Sequence, residues 1–176
     1  MPKIIENLRE QLLCEARRQI TEKGYSAVTV RSVAGACGVG IGTVYNYFRS
    51  KDMLIATFML EDWHECIGRI TEQSKNALDA DGILRCIYNE LRTYLDKHAN
   101  IFSDPQAIKV FAGVFTDRHK QLRQQIAEPI RTVLSEKRTD NADFTAEFIA
   151  EAIITWTVAG KSYTELSPLL LRLFNY

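Results

Sequence analysis

The sequence is short of the features that would place it in several large classes. No run of about 18 uncharged apolar residues occurs, so no helix is expected to cross a membrane. The opening, MPKIIENLREQLL, interleaves acids with apolar residues and has no small-residue cleavage site. It does not read as a signal peptide, and a cytoplasmic setting is the expectation. Only four cysteines are present (Cys14, Cys37, Cys66 and Cys86), with no C-x-x-C pair, which argues against a disulfide framework and against a zinc site. Isolated cysteines on helices are ordinarily small buried hydrophobes, and redox sensing is the rarer reading. Four prolines and nine glycines in 176 residues exclude a low-complexity or collagen-like chain. No convincing strand pattern, internal repeat or low-complexity linker is visible.

Net charge is also absent, 22 basic residues against 22 acidic, but the balance conceals two unlike parts. Residues 1–51 carry eight Lys or Arg (Lys3, Arg9, Arg17, Arg18, Lys23, Arg31, Arg49, Lys51) against four Glu, leaving 14 basic and 18 acidic residues beyond them. A basic amino-terminal segment on a mildly acidic body suggests that one end meets a polyanion. Chance fluctuation among surface charges is the plainer rival.

Helical periodicity is what remains, and with 46% hydrophobic residues the chain can bury a sizeable core. Ile5, Leu8, Leu12, Leu13, Ala16 and Ile20 form one stripe that Gly24 terminates. Thr29 is a natural N-cap for Val30, Val33, Ala34 and Cys37. A short helix is expected from Ile41 to Phe48, burying Val44 and Phe48. Ser50 caps a fourth helix of about 20 residues, with Asp52 in its first turn. Further helices are expected from Asp79 or Asp81, from Pro105 behind Asp104, from Asp117 to Lys137 with Pro129 as a kink or break, from Asn141, and from Ser167-Pro168. The fold class is all-α.

Gly38, Gly40 and Gly42 sit two apart in CGVGIGTVYNYFRSKD, Cys37 to Asp52. A nucleotide-binding loop needs a buried strand before it and G-x-G-x-x-G or G-x-x-x-x-G-K-[ST] spacing, and neither is present. A short capped helix, a tight turn at Gly38 and a second short helix make a helix-turn-helix instead. Gly38 can take the left-handed conformation that reverses the chain. Gly40 and Gly42 keep the second helix slim enough to approach a major groove. Thr43, Tyr45, Asn46 and Tyr47 then offer hydrogen-bonding groups on its face.

These residues carry a resemblance. The stretch TVRSVAGACGVGIGTVYNYFRSKDMLI resembles the DNA-binding signature of the TetR (tetracycline-repressor-like) family of bacterial regulators. Thr29, Arg31, Ala34, Gly38, Val39, Gly42, Thr43, Tyr45, Tyr47, Phe48, Ser50, Lys51 and Leu54 fall in register, and GYSAVTV matches the loop before them. The family commonly has Ser where Gly40 stands and a polar residue where Ile41 stands. The glycine caps a helix less well by a few tenths of a kcal/mol, and Ile41 can address only a thymine methyl.

The resemblance implies a three-helix DNA-binding domain over residues 1–50 and a helical effector-binding and dimerisation domain over 51–176. It implies phosphate contacts from Thr29, Tyr47, Lys51 and Asn46, and places Arg31, Ile41, Gly42, Thr43 and Tyr45 at or near base edges. Packing between helices remains the alternative for Tyr45 and Tyr47, and a solvated charge the alternative for Arg31. A homodimer is implied, through the helix of Phe144, Phe148, Ile149, Ala152, Ile153 and Trp156 and the terminal PLLLRLF. Its partner is a palindromic double-stranded operator, with recognition helices about 34–36 Å apart or a multiple. A small-molecule inducer or corepressor would tilt the fourth helix and shift the population of that geometry. Trp63, Tyr88, Phe102, Phe111, Phe115 and Trp156 are candidates to line its pocket, and a plain core is the rival account. Glu61, His64 and Glu65 share a helix face with metal-donor types, but a solvated surface explains them more simply, and no metal or cofactor is expected. His98 and His119 read as surface or capping residues. No catalytic constellation can be argued from spacing, so an enzyme is not expected. A protein-binding co-regulator on the same fold, without operator binding of its own, is the alternative function.

Overall fold

A computed structural model of the chain describes residues 6–137 and 140–174, without the side chains of residues 114–117. Helices occupy nearly all of it: α1 (Leu8–Lys23), α2 (Val30–Ala36), α3 (Ile41–Tyr47), α4 (Lys51–Lys75), α5 (Ala80–Lys97), α6 (Ala99–Phe102), α7 (Pro105–Glu136), α8 (Ala142–Val158), α9 (Tyr163–Leu170) and a 3-10 turn at Leu171–Phe174. No strand occurs among the described residues, and no helix there is long and apolar enough to cross a membrane.

The chain forms two compact units, Met1–Asp62 with His98–Ala112, and Trp63–Lys97 with Gly113–Tyr176. The boundary between these compact units falls within α4, at Asp62 and Trp63. The first three turns of α4 bury Leu54, Ile55, Phe58 and Met59, which commits that stretch to the first unit. In the first unit α1 presents Leu8, Leu12, Leu13, Ala16 and Ile20 to the core, the stripe its spacing predicts, and Gly24 follows its end. Val33, Ala34, Val44 and Phe48 bury the inner faces of α2 and α3. In the second unit α5 packs on α8 and α9, around Leu84, Ile87, Ile126, Ile130, Leu134, Ile149 and Ile153.

Two segments depart from expectation. The short helix behind Asp104 and the segment from Asp117 form one 32-residue helix, and Pro129 does not break it. An interior proline costs about 3 kcal/mol. Ile126, Ile130 and Leu134 are fully buried beside it, and burying each contributes about 1.5–3 kcal/mol, so burial wins. The last helix starts at Tyr163, five residues before Pro168. Ser162 and Glu165 form a reciprocal capping box there, which lowers the cost of the helix's free N–H groups.

Candidate nucleic-acid interface

The turn between α2 and α3 is built by backbone geometry. Gly38 has φ 66°, its N–H donates to the Gly35 carbonyl at 3.2 Å, and the Val39 N–H donates to the Ala34 carbonyl at 3.0 Å. This paired pattern is a Schellman cap, which needs a left-handed residue and so favours glycine. The start of α2 is fixed from the side chains. The Thr29 hydroxyl accepts the Ser32 N–H at 3.0 Å and the Ser32 hydroxyl accepts the Thr29 N–H at 3.1 Å. That box is tied to α1, because the Ser32 hydroxyl lies 2.6 Å from Gln19 Oε1 and the Gln19 amide donates to Glu15 at 2.7 Å. Gln19 is buried and polar, a link that periodicity alone does not reveal.

On α3, Val44 faces the core while Gly42, Tyr45, Asn46 and Tyr47 are exposed, and Ile41 and Thr43 are half-buried. Tyr45 and Tyr47 are 50% and 49% exposed, so neither is committed to packing between helices. Gly40 precedes the helix without a side-chain cap. A methyl built on Gly42 would meet nothing within 4 Å, so the surface over that position is open. Thr29 and Arg31 are exposed at the start of α2. The sequence-derived candidates from Thr29 to Tyr47 thus share one unit, with an outward set on α3.

The charges are sorted in a way that composition conceals. Arg9 reaches Glu61 at 2.7 Å, Arg17 reaches Asp62 at 2.8 Å, and Arg18 is held by Glu15 and Glu22 at 2.7 and 2.6 Å. The arginines of α1 are therefore neutralised. Arg31 and Arg49 are exposed and make no ion pair among the described residues. Arg49, at the turn between α3 and α4, joins the candidate set that sequence reasoning had drawn without it. Lys51 differs from a free surface charge. Its Nζ donates to the Tyr25 carbonyl at 3.0 Å and lies 3.9 Å from the Tyr25 ring centroid. The Tyr25 hydroxyl donates to Asp52 Oδ1 at 2.5 Å, and burial together with that bond pushes its phenol well above the ordinary range.

The aromatic candidates for an effector pocket lie in different neighbourhoods. Phe102 packs on His98, and Phe111 meets the edge of Tyr25. In the second unit Trp63 is a core residue, edge-on to Tyr94 with its indole N–H on Gln125 at 2.8 Å. Tyr88 donates to the Lys161 carbonyl at 3.0 Å, and Trp156 stands half-exposed on α8. The side chain of Phe115 lies outside the described residues. A cleft of about 260 Å³ in this unit is lined by Gln73, Asn76, Ala77, Gly82, Arg85, Cys86 and Asn89, none of them aromatic. His98 is buried against Asp62 rather than at the surface, and His119 is 2.8 Å from Glu151. Glu61 is engaged by Arg9 at 2.7 Å, and no cluster of three His, Cys, Asp or Glu side chains that could hold a metal occurs among the described residues.

Residues 12–57 match the model of the bacterial regulatory proteins, tetR family. The HTH-type transcriptional regulator UidR of Escherichia coli is 21% identical over 126 residues, 70% of this chain and 64% of its own length. The chain thus matches somewhat under two thirds of that curated relative. The HTH-type transcriptional repressor Rv1474c of Mycobacterium tuberculosis is 39% identical over 66 residues, 35% of each chain. Among solved structures, the fatty acid degradation regulator FadR from Bacillus halodurans shares the fold over 98% of this chain and 95% of its own, with TM-score 0.64 at 20% identity. The capped α2, the Gly38 turn and the outward face of α3 all lie within the segment that is similar to the tetR family of bacterial regulatory proteins.

Proposed function

We propose that the protein is a cytoplasmic, ligand-responsive transcriptional repressor that binds a palindromic operator as a homodimer and has no catalytic activity. The observation that carries this reading is the sorting of charge and exposure on the first unit. Ion pairs engage the arginines of α1, while Arg31 in α2 and Arg49 just after α3 are exposed without an ion pair among the described residues, and Tyr45, Asn46 and Tyr47 are exposed on α3. Arg31 suits guanine, whose O6 and N7 match its planar fork. Thr29, Asn46, Tyr47, Arg49 and Lys51 take backbone phosphates, while Ile41, Gly42, Thr43 and Tyr45 approach base edges. The capped Thr29 hydroxyl still has its own proton to donate, because in the box it acts as an acceptor.

The dimer forms through α8, where Phe144, Phe148 and Trp156 are exposed on one face. The effector is a small, largely apolar molecule bound by the second unit, a class suggested by the named role of FadR from Bacillus halodurans. Its binding tilts α4, which runs from Lys51 in the first unit to Lys75 in the second, and changes the spacing of the two recognition helices. Selection of bound duplexes from a random pool tests the reading. A palindromic consensus is expected, and Arg31→Ala should relax one base position in each half-site at a cost of about 1–3 kcal/mol. Failure to enrich any sequence would favour the protein-binding co-regulator.

A further inference from the structure

In the first unit, one buried tyrosine gathers contacts from three directions. Tyr25, in the loop between α1 and α2, is 2% exposed. Its hydroxyl donates to Asp52, and its carbonyl accepts from Lys51 Nζ as well as from the Val28 N–H at 3.2 Å, so two bonds tie it to the first turn of α4. Its ring meets Phe111 edge-on at 6.0 Å and carries the Lys51 ammonium 3.9 Å from its centroid. The next residue is clamped as well. The Ser26 N–H and hydroxyl donate to Asp104 Oδ2 at 3.2 and 2.7 Å, while Asp104 Oδ1 accepts the Gln106 and Ala107 N–H groups that open α7. The Ser26 hydroxyl is the chief reason that the Asp104 carboxyl titrates below its ordinary range.

A lysine at a helix terminus ordinarily samples many rotamers, and binding one phosphate freezes them at an entropic cost. Here the stem is already fixed. Of the three ammonium donors, the Tyr25 carbonyl takes one, which leaves two for an anion. Attraction to the ring face holds the charge in place without neutralising it, as a carboxylate would. We propose that Tyr25 is a positioning residue that presents the Lys51 ammonium to a phosphodiester of duplex DNA. The loop it belongs to is held from behind by Asp104 and Phe111. The inference rests on the DNA-binding reading above and adds to it a residue that itself touches no DNA.

The test uses the full chain and a duplex of about 30 base pairs of random sequence, because phosphate contacts are independent of sequence. The slope of log K against log salt is measured by fluorescence anisotropy. Lys51→Met should reduce its magnitude by about 0.9 per bound protomer, the value for one lost phosphate contact. Tyr25→Leu should reduce it equally, the double variant should lose nothing more, and Tyr25→Phe should restore the wild-type slope because the ring that holds the ammonium remains, the backbone carbonyl being common to every variant. An unchanged slope in Tyr25→Leu, or a further drop in the double variant, overturns the proposal while leaving the DNA-binding reading intact. If the wild-type protein shows no salt-dependent binding, both fall together. Should Tyr25→Leu fail to fold, ¹³C-dimethylation of the wild-type lysines provides the second measurement. One dimethyl resonance, absent in Lys51→Met, should lie upfield through the Tyr25 ring current and move when the duplex is added. No such resonance would sink the idea.

Discussion

Asp62 Oδ2 lies 3.1 Å from His98 Nε2, and both side chains are buried within the first unit. The other oxygen of Asp62 holds Arg17 Nη2 at 2.8 Å, whose guanidinium stands 5.2 Å from the Phe58 ring centroid. Phe58 in turn stacks on His98 at 6.0 Å. One carboxylate thus joins α1, α4 and the residue before α6. Removing one member of a buried pair costs about 3–5 kcal/mol, and Arg17, a third exposed, can regain some water. Asp62→Ala should therefore destabilise the protein by about 2–4 kcal/mol, lowering Tm by roughly 5–15 °C. Asp62→Asn should cost less. A loss under about 1 kcal/mol for the alanine variant in urea unfolding would show that the cluster contributes little.

Much of the first unit was legible because its signals are local. The stripe of α1, the Thr29 cap and the Gly38 corner each lie within a few residues of what they control. His98 was not legible, since its partner stands 36 positions earlier and only the packed unit brings them together. The pairing of Arg9 and Arg17 was equally hidden, because it depends on Glu61 and Asp62 reaching back to α1 from positions more than 40 residues later. The continuity of α7 through Pro129 was hidden for another reason: the local cost of the proline was outweighed by burial of the residues around it. The start of α9 could have been found, for S-x-x-E at Ser162 and Glu165 is a readable cap.

The Glu15 carboxyl offers a pH-dependent handle on α1. Hydrogen bonds from Arg18 first, and then Gln19, lower it from 4.5 to about 2. A depressed carboxyl stabilises the fold fully above its unfolded value and loses that contribution as pH falls through its folded one. Arg18 is half-exposed, so screening leaves about 1 kcal/mol rather than the full linkage value. Glu15→Gln should therefore be less stable than wild type by about 1 kcal/mol at pH 7, and the two should converge as the pH is lowered from about 4.5 towards 2. A gap that stays constant over that range would contradict this account.

Two glycines of the motif should respond oppositely to the same methyl group. Gly38 sits at φ 66° with open space around its missing Cβ, so Gly38→Ala should cost about 1–2 kcal/mol through backbone strain alone. Gly42 is inside α3, also with open space, and Gly42→Ala should stabilise the helix by about 0.5–1 kcal/mol. The added methyl would nonetheless stand between α3 and the groove. Affinity for a selected duplex should fall at least about fivefold, the effect of roughly 1 kcal/mol lost at a close contact. Stability that rises while affinity falls is the signature to seek in paired thermal and binding measurements. Affinity unchanged by Gly42→Ala would remove Gly42 from the interface.

The outer face of α8 sets the last expectation. Phe144 and Phe148 are 73% and 53% exposed with rings stacked at 6.3 Å, and Trp156 stands two turns beyond Phe148. Ile149 and Ile153, from the same helix, are fully buried, so the helix divides an inner apolar face from an outer one. Large aromatic residues at the centre of an interface dominate its energetics. Phe148→Asp combined with Trp156→Ser should convert a dimer to a monomer in sedimentation while far-UV circular dichroism stays unchanged, because neither side chain supports the core. Duplex affinity should fall more than about tenfold, since paired recognition helices are needed to hold two half-sites at once. Ile149→Ala serves as the contrast: it should cost about 2–5 kcal/mol of folding stability, because the loss lies within the unit. A double variant that remains dimeric would place the subunit contact elsewhere.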